Sequence, residues 1–525
     1  MDRIRDLWAR AWVADAICLT GLALLSIAFA IRWTSQLDIR LYDETTYLER
    51  GLNVPNGLPT ADMAPVYALW YQALSWFAEE RTTLYFLNYG ITLVLIPILT
   101  FLLLRTHGTT RGASLLAALF IQFTALNLFT WPRVSALALT ILMIGAIITT
   151  RVDDRDRKFT VAVLAAGMAV FVRPEFLLAL LILVTLWSWE IVKDGAWPGR
   201  LPLLEWSFVL ACLIGLFITF GNPLANGRGL IAFGQHYALN RESTQPTGMD
   251  PWTNWEEVIE NDLGPVQSIR EAMFRNPEKF AQHVGMNLAL TPSAIGAQLL
   301  PYWSRPVWYG FVLLTLLVAQ LLYLGVTNKA AHGLSHFRSK FTVAFVLPAL
   351  VSVIIIHPRA HYLLVLLVFA MITLVSRAYP EGSDRPRLCK YAPMVVLPIF
   401  LFLPNTRPVG PAGRPVLATI RSINALSLQD RATVLDADGG YTVYMHSPAD
   451  RVTAQDKAQG FNAFLRGEDL DLIVATPRLM EDHRYREDEE WQRFVEGGHS
   501  PAFRKVPVEG TEVLLFVSER ILASP

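Results

Sequence analysis

Charged and imidazole side chains recur in short turns between long apolar segments of this 525-residue chain. Arginine lies in three such turns and a carboxylate pair lies in an earlier loop: Asp43, Glu44, Arg133, Arg173, Glu175, His357, Arg359 and His361. A charge at the centre of a bilayer costs about 2.5–3.5 kcal/mol on insertion scales. Ionisable residues at the ends of apolar segments therefore suggest a structural or functional role. Basic groups could bind an anionic lipid headgroup, and a nearby carboxylate could take up a proton. The pattern indicates a single polar site at one level of a membrane.

Each of these residues also has a simpler interpretation. An arginine in a tight turn, such as Arg133, can extend its side chain to phosphate headgroups. Arg173 and Glu175 could form a local ion pair that closes a turn, and the histidines could be interfacial side chains without a partner. Asp43 and Glu44 could be an ordinary solvated pair. The combination of all these residues is more specific than any one of them.

Composition excludes a soluble globular enzyme. Hydrophobic residues make up 53% of the chain and charged residues only 17%, whereas soluble domains contain about 25% charged residues. Lys+Arg and Asp+Glu both number 45, which gives no indication of a nucleic-acid partner. Charge is concentrated at the end of the chain, because 32 of the 122 residues in 404–525 are charged. We predict a membrane domain over 1–403 and a polar domain over 404–525.

Long apolar segments set the fold class of the first domain. A bilayer core about 30 Å thick is crossed by roughly 20 apolar residues in a helix. Segments of this kind, including some shorter ones, cover 13–31, 84–104, 113–129, 134–150, 159–172, 176–192, 203–220, 307–326, 341–356, 362–376 and 392–403. The sequence therefore predicts a polytopic α-helical membrane protein with about eleven transmembrane helices.

The distribution of basic residues predicts the orientation. With a cytoplasmic N-terminus, every inner connection has two to four Lys or Arg residues, whereas the outer turns around Arg133, Arg173 and Arg359 have one each. This is the bias of the positive-inside rule. The long loops 32–83 and 221–306 and the C-terminal domain then lie outside. Compact loops and the lack of targeting signals favour a bacterial inner membrane and a periplasmic C-terminal domain.

The outer segments have recognisable local patterns. Residues 65–80 are aromatic and too short to span, which is typical of a helix lying in the membrane interface. In the second loop, Asn254 and Glu257 have the spacing of a capping box, and Asn276-Pro277 is a favourable helix start. This loop is predicted to form short helices.

The C-terminal segment alternates strand and helix patterns. Strands are predicted at 433–435, 441–445, 470–475 and 512–517, and helices at 454–465 and 481–495. Residues 436–440 read Asp-Ala-Asp-Gly-Gly and predict a turn rather than a calcium loop, because the glutamate that ends such a loop is missing. The pattern predicts a small α/β domain.

The motif Asp43-Glu44-x-x-Tyr47, in the first outer loop after a span with a cytoplasmic N-terminus, resembles the GT-C glycosyltransferases. The likeness is to the protein O-mannosyltransferases and the lipid A aminoarabinose transferases, and it covers the architecture of residues 1–403. Arg173-Pro174-Glu175 and the turn from Arg359 to Tyr362 are further points of similarity. The chain lacks the Trp-Trp-Asp signature of oligosaccharyltransferases, which argues against en bloc glycan transfer.

The resemblance implies an inverting transfer of a hexose or pentose from a polyprenyl-phosphate donor to a hydroxyl at the outer face of the membrane. The acceptor would be a glycan, a lipid or a protein. By its match to the family's catalytic aspartate, Asp43 would be the general base, and Glu44 would orient the acceptor or the donor sugar. The residues expected to bind the donor phosphate are Arg133, Arg173, Arg359 and His361. Those expected to contact the substrate are Tyr47, Glu175, His236 and Tyr362.

Other functions remain open at the level of the sequence. Asp43, Glu44 and His236 could coordinate a divalent cation, but nothing fixes the distances between them, so no cofactor is predicted. A transporter or flippase of a lipid-linked or anionic substrate is the main alternative. Transporters place ionisable residues near the bilayer midplane and often have two related halves, whereas here the charges lie at one face. A third interpretation is an assembly or receptor protein, whose outer domain binds a partner.

Overall fold

The structure is a computed structural model that describes residues 2–193, 200–225, 227–246, 248–300, 308–327, 336–382, 413–426, 428, 431–452, 460–482, 488–497, 499–500 and 502–522. The chain divides into two compact units. The helical unit contains Met1–Arg32, Val54–Leu69 and Tyr89–Pro408, and the sheet unit contains Trp33–Asn53, Trp70–Asn88 and Val409–Pro525. The sheet unit therefore combines the chain from Val409 onward with two earlier segments, one within the first loop and one that runs from that loop into the next apolar segment.

Sixteen α-helices precede the C-terminal segment in the described residues. They are α1 Asp2–Thr34, α2 Asp43–Leu52, α3 Pro65–Leu74, α4 Arg81–Thr106, α5 Arg111–Phe123, α6 Val134–Arg151, α7 Arg155–Val170, α8 Leu177–Lys193, α9 Arg200–Phe220, α10 Arg228–Thr244, α11 Trp255–Leu263, α12 Ile269–Arg275, α13 Pro277–Leu299, α14 Trp308–Thr327, α15 His336–Ile355 and α16 Ala360–Ala378. Short 3₁₀ helices occur at Val54–Asn56, Ala61–Met63 and Pro174–Phe176.

Within the described residues, six helices are long and apolar enough to cross a membrane. They cover Trp12–Thr34, Arg81–Thr106, Val134–Arg151, Pro174–Lys193, Leu203–Phe220 and Ala360–Ala378. Ten of the eleven predicted apolar segments overlap a helix, and the segment 392–403 lies outside the described residues. The prediction of a polytopic helical membrane protein is confirmed, and the number of about eleven spans stays a prediction.

One apolar segment is helical over only part of its length. The segment predicted at 113–129 ends as a helix at Phe123. The backbone N–H groups of Ala125 and Leu126 then donate to Leu300 O and Gln298 O, both at 3.1 Å. Polar backbone groups inside a membrane protein must find partners within the protein. The C-terminal end of α13 supplies them here, which allows the chain to leave the helix early.

Small residues and stacked rings hold the helical unit together. A Cβ atom placed on Gly145 of α6 would lie 2.5 Å from the Cβ of Ala165 of α7, so this close approach requires glycine. Trp187 of α8 is fully buried and stacks on Trp206 of α9, with ring centroids 4.1 Å apart. These contacts depend on van der Waals packing, which is the main source of helix association in a bilayer.

The sheet unit contains a six-stranded mixed sheet. Its strands are β1 Ala432–Leu435, β2 Ala449–Val452, β3 Leu472–Ala475, β4 His499–Ser500, β5 Phe503–Pro507 and β6 Leu514–Ser518, in the order β2-β1-β3-β6-β5-β4. Strands β2, β1 and β3 are parallel, and the other pairs are antiparallel. The helices are α17 Pro415–Ala425, α18 Phe461–Gly467, α19 Pro477–Glu481, α20 Glu489–Gly497 and α21 Glu519–Leu522. A small C-terminal α/β domain is thus confirmed.

One predicted strand is wrong. Residues 441–445 alternate like a strand, but Tyr441–Tyr444 forms a 3₁₀ helix. The buried carboxylate of Asp436 accepts hydrogen bonds from Gly439 N at 2.9 Å and Thr442 N at 3.1 Å, which holds the preceding turn. Burial also raises the pKa of Asp436. The predicted turn at 436–440 is present, and it continues into the 3₁₀ helix instead of a strand.

The first loop and the C-terminal segment form one core in the sheet unit. The buried carboxylate of Asp38 accepts hydrogen bonds from the backbone N–H groups of Val416, at 2.8 Å, and Leu417, at 3.0 Å, in the first turn of α17. Arg81 donates to Val443 O at 2.6 Å. Free N–H groups at the start of a helix favour a carboxylate partner. The C-terminal segment therefore helps to fix the loop that contains the acidic pair.

Candidate functional site

Three arginines in the helical unit have the same structural position. Arg133, Arg173 and Arg359 are the N-cap residues of α6, of the 3₁₀ helix that leads into α8, and of α16. Each has an extended backbone, and its side chain does not cap its own helix. The N-terminus of a helix presents free N–H groups and a partial positive charge. Each turn therefore combines a guanidinium group with a helix end that also favours an anion.

Aromatic rings support two of these arginines. The guanidinium carbon of Arg133 lies 3.7 Å from the ring centroid of Phe129 and 4.9 Å from that of Trp131. The guanidinium carbon of Arg359 lies 4.5 Å from the ring centroid of Trp252. Cation–π contacts orient a guanidinium group without using its N–H donors. The cation–π contacts therefore hold the guanidinium group in place without taking up its N–H groups.

Arg173 contacts both an acid and an aromatic ring. Its Nε lies 2.8 Å from Glu175 Oε1, and its guanidinium carbon lies 4.9 Å from the ring centroid of Tyr362. Both members of the ion pair are largely buried, with side chains 14% and 21% exposed. The local ion pair is therefore formed.

His361 brings the three turns together. It interacts electrostatically with Arg173, Arg133 and Arg359, and also with His236 of the second loop. The predicted basic residues of the three turns thus form one cluster in the helical unit. We call Arg133, Arg173, Arg359 and His361 the basic cluster.

His236 is buried beside this cluster. It is only 3% exposed, and its ring stacks on that of His357 with centroids 5.1 Å apart. Trp252 packs edge-on against it at 5.7 Å. Burial, reinforced by the charge of Arg359, lowers the pKa of His236 to about 3, and burial lowers that of His357 to about 4. Both rings are therefore neutral near pH 7.

A second buried histidine has hydrogen-bond partners at both ring nitrogens. His283 in α13 accepts a hydrogen bond from Asn240 at Nδ1, at 3.0 Å, and donates from Nε2 to Ile355 O at 3.1 Å. A proton on Nδ1 would face the amide donor of Asn240. Burial lowers the pKa of His283 to about 4, although the hydrogen bond to Ile355 opposes the shift. The network joins α10, α13 and the end of α15.

Protonation of His283 should destabilise the protein in acid. Because its pKa is about 4 in the folded state and 6.5 in the unfolded state, the unfolded state binds more protons between these values. The contribution of neutral His283 to the free energy of unfolding is complete above about pH 6.5 and is lost as the pH falls toward 4. From about pH 7 to about pH 5 we expect a loss of roughly 1–2 kcal/mol from this group. Thermal unfolding of His283→Gln, which cannot titrate, should depend less on pH than that of the wild type. Equal dependence would contradict this role.

The acidic pair occupies two different environments in the sheet unit. Asp43 and Glu44 form the first turn of α2, where Asp43 is exposed and Glu44 is only 3% exposed. Glu44 accepts hydrogen bonds from the hydroxyl of Tyr71 and from Asn88 Nδ2, the latter at 2.9 Å. Asn88 in turn accepts from Trp70 at 2.8 Å. The carboxylate of Asp43 is therefore open to solvent, whereas that of Glu44 joins α2 to α3 and α4.

Removing the Glu44 carboxylate should lower stability. In Glu44→Ala, the buried donors of Tyr71 and Asn88 would lose their acceptor, at about 1–3 kcal/mol for each unsatisfied group. Glu44→Gln keeps an acceptor oxygen and should lose clearly less. The free energy of unfolding of both variants, measured in the same detergent, tests this role. Equal stability of the alanine variant and the wild type would rule it out.

The other predicted site residues divide between the two units. Tyr47 is buried in the sheet unit with Asp43 and Glu44, whereas Glu175, His236 and Tyr362 lie in the helical unit with the basic cluster. Within the parts of the chain that are described, no group of three His, Cys, Asp or Glu side chains could hold a metal ion. The metal set considered from the sequence, Asp43, Glu44 and His236, is divided between the units.

Sequence reasoning missed the residues that support the site. Phe129 and Trp252, which lie against two of the arginines, gave no signal, because an aromatic residue in a loop is common. Asn287, which donates to Ile354 O at 2.9 Å, lies in a helix whose pattern does not mark it. The sequence signal that could have identified the supporting residues of α10 and α13 is the periodicity of their polar side chains.

Comparisons with known proteins yield similarities of structure alone. No family model matches the chain, and no curated protein matches it. Arabinofuranosyltransferase AftD from Mycobacteria is 13% identical with a TM-score of 0.39, over 95% of this chain and 40% of AftD. The chain thus spans less than half the length of AftD.

Two further solved structures are similar over most of the chain. The oligosaccharyltransferase AglB from Archaeoglobus fulgidus, in complex with an inhibitory peptide and a dolichol-phosphate, is 12% identical with a TM-score of 0.40, over 96% of this chain and 75% of AglB. ArnT from Cupriavidus metallidurans, bound to undecaprenyl phosphate, is 13% identical with a TM-score of 0.39, over 96% of this chain and 99% of ArnT. The function proposed below rests on the residues of the site.

Proposed function

We propose that the protein is an inverting glycosyltransferase that uses a polyprenyl-phosphate sugar. It transfers a hexose or pentose to an acceptor hydroxyl at the outer face of a bacterial inner membrane, with a cytoplasmic N-terminus and a periplasmic C-terminal domain. The acceptor is a glycan, a lipid or a protein. The observation that carries the proposal is the basic cluster, in which arginines at three helix N-termini interact with one histidine.

The cluster suits the leaving group of such a reaction. When the bond between C1 of the sugar and the phosphate oxygen breaks, the polyprenyl phosphate leaves with an additional negative charge. Arg133, Arg173 and Arg359 would stabilise that charge by charge-assisted hydrogen bonds, so no acid is needed to protonate the leaving oxygen. Glu175 and Tyr362 would keep Arg173 in position. His361 would complete the polar lining of the phosphate-binding site.

The acceptor side of the reaction needs a base. The acceptor oxygen attacks C1 from the face opposite the phosphate, and its proton must pass to a nearby group. We assign this role to Asp43, whose exposed carboxylate is available. The sequence analysis expected Glu44 to orient a sugar. Because its carboxylate is buried, we propose instead that Glu44 holds the start of α2. A single displacement of this kind inverts the configuration at C1.

Release of polyprenyl phosphate tests the proposal. The purified protein in lipid is incubated with a panel of polyprenyl-phosphate hexoses and pentoses, with and without an envelope extract as a source of acceptors. We expect release of free polyprenyl phosphate with at least one donor, and a product whose anomeric configuration is inverted. Movement of an intact donor across proteoliposomes, without cleavage, would replace the proposal with a flippase. Retention of configuration would exclude the single displacement.

A further inference from the structure

Two buried imidazoles beside the basic cluster have nitrogen atoms that the protein does not use. Among the described residues, His236 Nε2 and His357 Nδ1 have no hydrogen-bond partner, although both atoms are buried. The rings stack on each other, and Trp252 closes one side of His236. Buried polar atoms are nearly always hydrogen-bonded in native proteins. This pair of nitrogens therefore points to a ligand that supplies the missing partner.

The other nitrogen of His236 determines what Nε2 can bind. His236 Nδ1 lies 2.5 Å from Ala232 O, and a carbonyl oxygen can only accept a hydrogen bond. Nδ1 must therefore carry the proton of the neutral ring. Burial and the charge of Arg359 lower the pKa of His236, which keeps the ring neutral near pH 7. Nε2 then presents a lone pair, so the ligand must supply a hydrogen-bond donor.

This requirement excludes the donor phosphate as the partner of His236. An ionised phosphodiester has only acceptor oxygens, and their lone pairs would face the lone pair of Nε2. A hydroxyl group can donate instead. Arg359 and His236 both contact the ring of Trp252, at 4.5 and 5.7 Å, so the phosphate assigned to the basic cluster and a hydroxyl on His236 would be adjacent. A sugar phosphate contains both groups.

We propose that His236 accepts a hydrogen bond at Nε2 from a hydroxyl of the sugar that is transferred, with His357 stacked behind it. The proposal rests on the proposed function and adds a determinant of donor specificity. It makes one hydroxyl of the donor sugar a requirement, because a donor without that hydroxyl leaves Nε2 buried and unsatisfied. Sites that bind a substrate hydroxyl in this way discriminate strongly against the analogue that lacks it.

Deoxy and fluoro analogues of the accepted donor test the proposal. Each hydroxyl of the sugar is replaced in turn, and kcat/KM for release of polyprenyl phosphate is compared between the wild type, His236→Ala and His236→Gln. The wild type should lose about tenfold or more at one position. His236→Ala should lose this discrimination at that position alone, and His236→Gln, whose amide oxygen can accept, should regain part of it. His283→Gln, altered at a histidine whose two nitrogens are both bonded, should keep the wild-type discrimination.

The outcomes separate this inference from the proposed function. Equal turnover of all deoxy donors by the wild type, or unchanged discrimination in His236→Ala, overturns the inference and leaves the transferase intact. Absence of cleavage with every donor overturns the proposed function and this inference with it. If His236→Ala does not fold, the series of analogues on the wild type and on His236→Gln decides, because both retain an acceptor at this position.

Discussion

Replacing Asp43 with asparagine should lower the rate of sugar transfer by about 100- to 10,000-fold, the usual contribution of a positioned general base. Asparagine keeps the shape of the side chain and its place in the first turn of α2 but cannot take up the proton of the acceptor hydroxyl. Because Asp43 is exposed, the substitution should leave the free energy of unfolding nearly unchanged. The measurement is kcat for release of polyprenyl phosphate at saturating donor and acceptor.

The control is an isosteric change at another exposed carboxylate of the same loop. Glu79→Gln removes one negative charge from the loop and should keep the rate within a factor of about two, as expected for a solvated surface charge. Binding of the donor should be similar in Asp43→Asn and the wild type, because the base acts on the acceptor. An Asp43→Asn protein with wild-type turnover would remove Asp43 from the mechanism.

Hydropathy determines the level of a turn in a membrane but not its lateral neighbours. The alternation of apolar segments predicted that Arg133, Arg173 and Arg359 lie at the same face, and His361 interacts with all three. The contribution of the second loop could not be derived in this way. His236 and Trp252 reach the cluster because α10 packs beside the turn at His357, and such long-range packing leaves no periodic signal in the sequence.

Burial also separates neighbours that look equivalent in the sequence. Asp43 and Glu44 are adjacent acids, but successive residues of a helix point about 100° apart. One carboxylate therefore faces solvent while the other turns toward Tyr71 and Asn88. The resemblance placed both carboxylates in the site, Asp43 as the base and Glu44 to orient a sugar. Only the partners of Glu44, which lie 27 and 44 residues later, distinguish its buried environment from the exposed one of Asp43.

Local polar contacts explain the errors in the C-terminal domain. The alternation at 441–445 is typical of a strand, but the hydrogen bonds that backbone N–H groups donate to Asp436 favour a tight turn. Strand β2, at Ala449–Val452, was missed because it is polar and none of its residues is fully buried. Edge strands of this kind are often charged, which protects the sheet from pairing with other chains.

Replacing Arg173 with alanine should reduce kcat/KM for the donor by about 100- to 1000-fold, the usual effect of removing one preorganised donor to a developing anion. The loss should appear mainly in kcat, because the negative charge on the phosphate grows as the bond to C1 breaks. Arg173→Lys should recover only part of the activity, since an ammonium group cannot contact Glu175 and a phosphate through a planar fork. Turnover of the three proteins with one donor gives the comparison.

The ion pair between Arg173 and Glu175 provides the test of the simpler interpretation. If the arginine serves only to close its turn, Arg173→Ala and Glu175→Ala remove the same 2.8 Å contact and should lower stability and activity by similar amounts. If it binds the leaving phosphate, the arginine variant should lose far more activity than the glutamate variant at comparable stability. Arg241→Ala, which breaks a comparably buried pair with Asp262 at 2.9 Å in the second loop, controls for the loss of an arginine ion pair as such. Equal losses at Arg173 and Glu175 would assign both residues to the turn and leave Arg133 and Arg359 as the anion-binding pair.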